Sequence, residues 1–508
     1  MDFRSLIIVG ASLAAAAPAH AADLANIETV VVVYAENRSF DNIFGVFPGA
    51  RGLAGLTPED YAQADRNGEL LKELPPIWAG LGGKFSPSTV PVERTRGLAN
   101  APFAIDDPNG LNFPANLPTR DLVHKFYEEQ MQINGGRNDR FVAYGDAGAL
   151  QMGHYAHANL HVWDIAKKYT LADNFFQGGF GGSFFNHFAL ICACAPYYPN
   201  ADSSPARDKI SKVEADGVTL TLAADSPASA MDGPPRFERS ESLTPDFFAV
   251  NTMQPPFQPS AVPPAQGCDP AYANPANAST LPPQHDVTIG DLLTAKGVGW
   301  AWYAAGWSAV LGGQNTKPVP NFQYHHQPFN YFAQFAPGTA ARADHLRDGG
   351  LGGEAFIADI DAGKLPSVTF YKPQGNLNEH ADYSSVSDGD AHVADIVEHL
   401  ERSPQWVHML VIVTYDENGG FWDHVAPPKA DRWGPGSRIP AIIISPFARR
   451  GFIDHTQYDT TSILRLITRR WNLPVLPGLI ARDKALAAQD QPPMGDLTAA
   501  IDPAVTPQ

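Results

Sequence analysis

The chain has 508 residues, of which 44% are hydrophobic and 18% charged, and this length allows one large domain with insertions or two or three smaller domains. With 36 Lys and Arg residues against 54 Asp and Glu residues, the formal net charge is −18, which argues against a nucleic-acid partner. Three cysteines, Cys192, Cys194 and Cys268, permit at most one internal disulfide bond and exclude a disulfide-dense scaffold. On so acidic a chain, a phosphate site must obtain positive charge from a metal ion, a histidine or a helix N-terminus.

The first 21 residues are predicted to be a secretory signal peptide. Arg4 precedes an apolar run from Leu6 to Ala17, and Ala19-His20-Ala21 has the small-residue pattern of a cleavage site. Cleavage after Ala21 would direct the mature chain to a periplasm or out of the cell. An uncleaved anchor is the alternative, but the apolar run is short for a membrane span, so no stable membrane anchor is expected.

Short apolar runs recur along the rest of the chain and are predicted to be strands buried on both faces, which is typical of a mostly parallel sheet. They lie at 29–36, 298–306, 367–373, 408–417 and 439–447. Amphipathic patterns at 389–403 and 461–471 predict helices between and after them. The order predicts a single α/β domain over 22–508, with a mostly parallel central sheet flanked by helices.

The segment from about 196 to 285 departs from this alternation. It is richer in Pro, Ala, Ser and Asp, and it is predicted to be an inserted cap region over the sheet. Just before it, Cys192 and Cys194 lie in the apolar run ALICACAP, which favours simple burial for at least one of the two thiols.

Acidic pairs follow two of the predicted strands. Glu36 and Asn37 come directly after the valine run, and Asp416 and Glu417 end the run at 408–417. Ligands of open α/β sheets collect at the carboxyl ends of the strands, and oxygen ligands of this kind suit a hard cation such as Mg²⁺, Ca²⁺ or Mn²⁺. Either pair alone could instead cap a turn, but two similar pairs favour a metal site.

Ser183 follows a glycine-rich stretch and begins an apolar, helix-compatible run, QGGFGGSFFNHFAL at 177–190. Glycine lets the backbone approach a ligand closely, and a helix N-terminus attracts anions. The serine could equally be an N-cap. It is not a nucleophile elbow, because Phe185 stands where the second glycine of that motif would be.

Histidines supply a further element, although any one of them is more often structural than functional. Together with a serine, two acidic pairs and a glycine loop they indicate phosphoryl chemistry, because imidazolium groups bind phosphoryl oxygens and protonate leaving alkoxides. The candidates are His124, His325, His326, His380 and His424.

These motifs resemble the bacterial phosphoesterase family that joins secreted acid phosphatases with phospholipases C, a branch of the alkaline phosphatase superfamily. The resemblance runs from about residue 28 to about 475 and rests on five ordered motifs: ENRSFDNIFG at 36–45, GGSFFNHF at 181–188, HHQPF at 325–329, EHADYS at 379–384 and YDENGGFWDHVAPP at 415–428.

The resemblance implies roles for particular residues. One divalent ion would be held by Glu36, Asn37, Asp416 and Glu417, with Ser183 bound to it as nucleophile. His124, His325, His326 and His380 would surround the phosphate, with His380 or His326 as the general acid. Asp423 and His424 would lie outside the metal ligands and hold them in the correct orientation. The other residues of the first motif, Arg38, Phe40, Asp41 and Phe44, are predicted to brace or pack the loop.

The resemblance favours a metal-dependent acid phosphatase acting on a small phosphate monoester through a phosphoserine, because Ser183 stands where phospholipase members can carry threonine. A phospholipase C is the alternative. A non-catalytic binding protein would require that a chemical residue be missing, and none is. A sulfatase is disfavoured because its Cys-x-Pro-x-Arg motif has Tyr198 in place of arginine.

Overall fold

The computed structural model describes residues 24–86, 89–315, 317 and 319–502. The predicted signal peptide lies outside these residues. The central element is a sheet of eight strands, in the spatial order β11 (Phe452–Asp454), β4 (Thr170–Ala172), β10 (Ala441–Ile444), β9 (Met409–Tyr415), β1 (Thr29–Ala35), β8 (Val368–Lys372), β6 (Trp300–Ala304) and β7 (Leu346–Asp348). Over the part of the chain that is described, helices are too short or too polar to cross a membrane.

The strands of the described residues are β1 Thr29–Ala35, β2 Phe103–Ala104, β3 Gly153–His154, β4 Thr170–Ala172, β5 Phe175–Phe176, β6 Trp300–Ala304, β7 Leu346–Asp348, β8 Val368–Lys372, β9 Met409–Tyr415, β10 Ala441–Ile444, β11 Phe452–Asp454 and β12 Tyr458–Asp459. The helices are α1 Phe40–Phe44, α2 Pro58–Tyr61, α3 Phe126–Ile133, α4 Phe141–Tyr144, α5 His161–Lys168, α6 Ser183–Cys192, α7 Ile289–Lys296, α8 Trp307–Leu311, α9 Ala340–His345, α10 Glu354–Asp361, α11 Val386–Arg402, α12 Thr461–Trp471 and α13 Pro477–Ala488.

The middle of the sheet explains the continuous apolar runs. β1 pairs in parallel with β8 on one side and β9 on the other, and every residue of β1 is buried. A strand covered on both faces has no polar face, so its sequence does not alternate. All five predicted strands are confirmed. β10 is the exception to the parallel arrangement, because it runs antiparallel to both β9 and β4.

Both predicted helices are confirmed, as α11 and α12. α11 begins three residues earlier than its pattern suggested, because the Ser385 hydroxyl caps it by accepting a 3.0 Å hydrogen bond from the Asp388 N–H. α6 begins at Ser183 and ends at Cys192, where Ala193 takes a left-handed conformation at φ 49°.

The predicted inserted segment contains only short 3₁₀ turns and isolated β-bridges between residues 196 and 285, all of which are described. Its first border is covalently fixed, because Cys192 and Cys194 form a disulfide bond with their Cα atoms 5.1 Å apart. The expectation of a simply buried thiol is therefore wrong for this pair. The left-handed turn at Ala193 brings the two side chains together, and an apolar run does not reveal a turn. Cys268 is a free, exposed thiol.

Leu410 tests the contribution of the central strands. It lies opposite Val30 in the β1–β9 pair and is fully buried. We expect Leu410→Ala to lower the free energy of unfolding by about 2–5 kcal/mol, because it leaves a cavity in close-packed surroundings. Leu70, which is 69% exposed, is the matched control, and Leu70→Ala should change stability by less than about 0.5 kcal/mol. Equal effects of the two variants in urea denaturation would contradict this view of the core.

Candidate functional site

The site begins where β1 and β9 end side by side. Asn37 has a left-handed backbone, φ 61°, which ends β1 and turns the chain into the loop before α1. Its backbone N–H donates a 3.1 Å hydrogen bond to Asp416 Oδ1. The two predicted acidic pairs therefore meet at one edge of the sheet, as the parallel arrangement of their strands requires.

The loop after β9 depends on Gly419, which has φ 62°. A Cβ at this position would lie 2.4 Å from the Asn37 carbonyl oxygen, so no larger residue fits. The Gly419 N–H donates to Glu417 Oε2 at 2.7 Å, and the Asn418 N–H donates to Gln177 Oε1 at 2.9 Å. The strand therefore breaks into a loop at this point, which allows both acids of the pair to face one site.

Ser183 is the first residue of α6, and Gly182 is the N-cap, so the serine is not itself a cap. Its Oγ donates a 3.2 Å hydrogen bond to Glu417 Oε1. The preceding loop packs tightly: Gly181 has φ 84°, and a Cβ there would lie 2.5 Å from the Phe126 backbone nitrogen. The structure therefore places the predicted nucleophile in direct contact with a predicted metal ligand.

Glu129, on α3, holds this loop and was not found from the sequence. Its carboxylate accepts hydrogen bonds from the Gly181 N–H at 2.5 Å, the Ser437 N–H at 2.9 Å and Gln177 Nε2 at 2.9 Å. Burial raises the pKa of Glu129 to about 7. Because Gln177 also binds Asn418, one carboxylate connects the serine loop to the acidic loop. Glu128-Glu129 in a helical pattern looks like a solvated surface, which is why sequence analysis missed it.

His124 and His380 face each other across the opening of the site, with ring centroids 5.6 Å apart. His124 Nε2 lies 3.6 Å from Glu417 Oε1. Burial opposes protonation of His124, but the Glu417 and Asp121 carboxylates outweigh it and raise its pKa to about 9. His380 stacks on Tyr383 at 4.4 Å and hydrogen-bonds the Ala381 carbonyl oxygen through Nδ1 at 2.7 Å. Both imidazoles are thus held in fixed orientations.

The other two predicted histidines differ from each other in position. His325 lines the same cleft as Ser183. His326 is only 1% exposed, and its Nε2 contacts Glu36 Oε1. His187, which sequence analysis did not identify, packs against both, with ring centroids 5.4 Å from His325 and 5.7 Å from His326. Its Nδ1 hydrogen-bonds the Ser183 carbonyl oxygen at 2.7 Å. Burial lowers the pKa of all three imidazoles.

Lys372, the last residue of β8, is the second functional candidate that sequence analysis missed. Its Nζ lies 2.9 Å from Glu36 Oε1 and 3.4 Å from Asp416 Oδ2, and the side chain is fully buried. A lysine that ends a buried strand next to two acid-ending strands is a detectable signal, but only once the strand order is known. Lys372 therefore pairs with both Glu36 and Asp416, the acids that follow the two neighbouring strands.

Asp423 and His424 contact Arg438 and Asp41, and these contacts brace the loop after β1. His424 Nδ1 lies 2.6 Å from Asp41 Oδ2, and Arg438 binds Asp41 Oδ1 at 2.9 Å and Asp423 Oδ1 at 3.0 Å. The predicted bracing role of Asp41 agrees with these contacts. Arg38 likewise donates to the Glu379 carbonyl oxygen at 2.5 Å.

The donor set fits a divalent cation. The side-chain amide atoms of Asn37 are buried and have no hydrogen-bond partner in the described part of the chain. Burial raises the pKa of Glu417 well above its usual range and also raises that of Asp416. Buried carboxylates beside an unpaired amide oxygen are stabilised by a hard cation. Within the described residues, three groups have ligand atoms within 4.8 Å of one another: Glu36-His325-His326, Asp121-His124-His380 and Asp41-Asp423-His424. Of the predicted ligands, only Glu36 belongs to one of these groups.

A cleft of about 1010 Å³ gives access to the site. Ser183, His124, His325 and His380 lie on it. One wall comes from the inserted segment between Pro235 and Thr252, and charged side chains from other loops line the rest: Lys84, Arg120, Asp121, Lys125, Asp146, Lys317 and Asp382. The cleft therefore leads from solvent to the serine hydroxyl.

Comparison with known proteins agrees with this geometry. The model of the phosphoesterase family matches residues 27–474. Phospholipase C B of Mycobacterium tuberculosis is 25% identical over 548 aligned positions, which cover 100% of this chain and 83% of that protein. The non-hemolytic phospholipase C of Burkholderia pseudomallei is 24% identical, over an alignment that covers 92% of this chain and 58% of that protein.

Among solved structures, a protein of the alkaline phosphatase superfamily from Vibrio parahaemolyticus is 16% identical, with a TM-score of 0.26 over 40% of this chain and 51% of that one. Murine ectonucleotide pyrophosphatase/phosphodiesterase 5 is 11% identical, with a TM-score of 0.28 over 62% of this chain and 91% of that one. Both scores are low, and the family match carries the conclusion. The chain belongs to the phosphoesterase family and is a hydrolase of phosphoric ester bonds.

Proposed function

We propose that this protein is a metal-dependent phospholipase C, which cleaves a phospholipid into diacylglycerol and a phosphorylated head group. The observation that carries the proposal is the similarity to Phospholipase C B of M. tuberculosis over the whole of this chain. It is supported by the serine hydroxyl at the base of a cleft that is large enough for a diester. This proposal replaces the acid phosphatase favoured by sequence analysis.

Ser183 is the proposed nucleophile. Its Oγ forms a bond to phosphorus as the bond from phosphorus to the glycerol oxygen breaks, and a water molecule then hydrolyses the phosphoserine. Residues Glu36, Asn37, Asp416 and Glu417 would hold a divalent ion together with the Ser183 oxygen. Such an ion lowers the pKa of a bound hydroxyl and withdraws charge from phosphoryl oxygens.

The histidines divide the remaining work. His380 is the proposed acid that protonates the departing glycerol oxygen, because it lies on the cleft, whereas His326 is buried against Glu36. His124 is the proposed phosphate-binding imidazole, because it lies on the cleft next to Ser183 and its Nε2 is 3.6 Å from Glu417 Oε1. His325, which lies on the cleft, is proposed to bind the phosphate as the resemblance implies. His326, for which phosphate binding or acid catalysis was predicted, is instead proposed to hold Glu36, which it contacts.

A phosphomonoesterase is the second candidate. Part of the cleft wall is cationic, because Lys84, Arg120, Lys125 and Lys317 lie on it beside acidic and apolar side chains. A small, soluble phosphate dianion would suit such walls.

We also propose secretion or periplasmic export, on the basis of the predicted signal peptide.

Ser183→Ala tests the nucleophile. We expect hydrolysis to fall by about 10³-fold or more, because the variant lacks the attacking oxygen. Metal content should persist, since the other four ligands remain. Ser203→Ala, at an exposed position, is the control and should keep wild-type turnover. Near-normal turnover of Ser183→Ala would make water the nucleophile and end the covalent mechanism.

Chelation tests the metal. Exhaustive treatment with EDTA should abolish hydrolysis while circular dichroism stays unchanged, because a core of this size does not depend on one ion. Restoring activity with Mg²⁺, Ca²⁺ and Mn²⁺ in turn would identify the ion. Full activity of protein shown to be free of metal would rule out the metal role.

A substrate comparison separates the two candidate functions. Purified protein should hydrolyse phosphatidylcholine or phosphatidylglycerol with a higher kcat/KM than 4-nitrophenyl phosphate. The reverse order would assign the protein as a phosphomonoesterase, in agreement with the prediction from Ser183. Both reactions use the same serine, so Ser183→Ala is the blank for each assay.

A further inference from the structure

We propose that Glu36, His326 and Asp416 form a second cation position and that the Lys372 ammonium permanently fills it, so that this chain takes one divalent ion and not two. The inference rests on the proposed metal site but not on the choice between phospholipid and monoester. It assigns to Lys372 a function that neither the motifs nor the similarity to relatives supplies.

The strand order brings the three charged groups together. β8, β1 and β9 are neighbours in the sheet and run parallel, so their carboxyl ends deliver Lys372, Glu36 and Asp416 to one place. The ammonium lies 2.9 Å from Glu36 Oε1, 3.4 Å from Asp416 Oδ2 and 3.3 Å from the Ala35 carbonyl oxygen. The ammonium donates hydrogen bonds to Asp416 Oδ2 and to the Ala35 carbonyl oxygen, and it forms a close ion pair with Glu36 Oε1.

The groups around the ammonium are the kind that bind metals. Glu36, His325 and His326 have ligand atoms within 4.8 Å of one another, which is a spacing that could hold an ion. His326 Nε2 contacts Glu36 Oε1, the same oxygen that pairs with Lys372. Without the ammonium, two carboxylates and an imidazole would face one space, and this mixture of oxygen and nitrogen ligands suits Zn²⁺ or Mn²⁺.

Charge balance gives the reason for a single ion. Glu36, Asp416 and Glu417 are fully buried and carry three negative charges when ionised. One ammonium and one divalent cation balance these charges, so a second divalent ion would leave the buried cluster positively charged. When a neutral residue replaces Lys372, one carboxylate lacks a counter-charge. Because an uncompensated buried charge is costly, this change favours binding of a second ion.

Metal stoichiometry of the full chain tests the inference without any substrate. Apo protein would be loaded with excess Zn²⁺ or Mn²⁺, desalted, and analysed by inductively coupled plasma mass spectrometry, with titration calorimetry as a second measure. Wild type and Lys372→Arg should bind about one equivalent, and Lys372→Met about two. Lys168→Met removes a lysine that pairs with Glu401 at the surface, and this control should stay at one.

A charge-repair variant tests the reason for the change. Lys372→Met combined with Glu36→Gln removes one charge of each sign, so binding should return from two equivalents to one. A folded Lys372→Met protein that still binds one equivalent would overturn the inference. If Lys372→Met does not fold, wild type decides: a second equivalent in wild type that is lost in His326→Gln would also overturn it, and saturation at one would uphold it. If the wild-type protein does not hydrolyse phospholipid but the expected metal stoichiometries are observed, the proposed function is refuted and the inference about Lys372 stands.

Discussion

The architecture of the site depends on buried ion pairing at the ends of three neighbouring parallel strands. Burying a charge is costly unless it is paired, and here Glu36, Asp416 and Lys372 are all without solvent exposure. The strands fix the distances between these groups, because each charged residue directly follows or ends a strand in the middle of the sheet. A rigid base of this kind allows loops above it to hold a nucleophile and imidazoles at defined positions.

A further buried carboxylate, that of Glu129, holds the loops above the sheet in place. Glu129 binds the serine loop through Gly181 and the region after β10 through Ser437, while Gln177 passes the connection on to Asn418. The hydroxyl of Ser183 can therefore stay within hydrogen-bond reach of Glu417. The serine therefore gains its position from the buried hydrogen bonds of Glu129 and Gln177.

The outer part of the site is built differently. Its wall between Pro235 and Thr252 belongs to a segment of turns and isolated bridges, and it carries little regular structure. Such a wall can change in sequence without disturbing the sheet, because loops tolerate substitutions better than buried strands do. The proposed choice between a phospholipid and a small monoester would fall to this wall, whereas the proposed chemistry lies at the rigid edge of the sheet.

The sequence by itself determined the central strands, the helix at Ser183, the acidic pairs and the histidines, because each leaves a local signal: an unbroken apolar run, glycines before a serine, or polarity at a strand end. Only the tertiary structure decided what these residues contact. Lys372 meets Asp416 across 44 residues, and Glu129 meets Ser437 across 308. Local sequence patterns also did not predict the turn that joins Cys192 to Cys194 or the burial of His326 against Glu36. Local patterns report burial and backbone preference, whereas pairing of charges depends on strand order, which no single segment encodes.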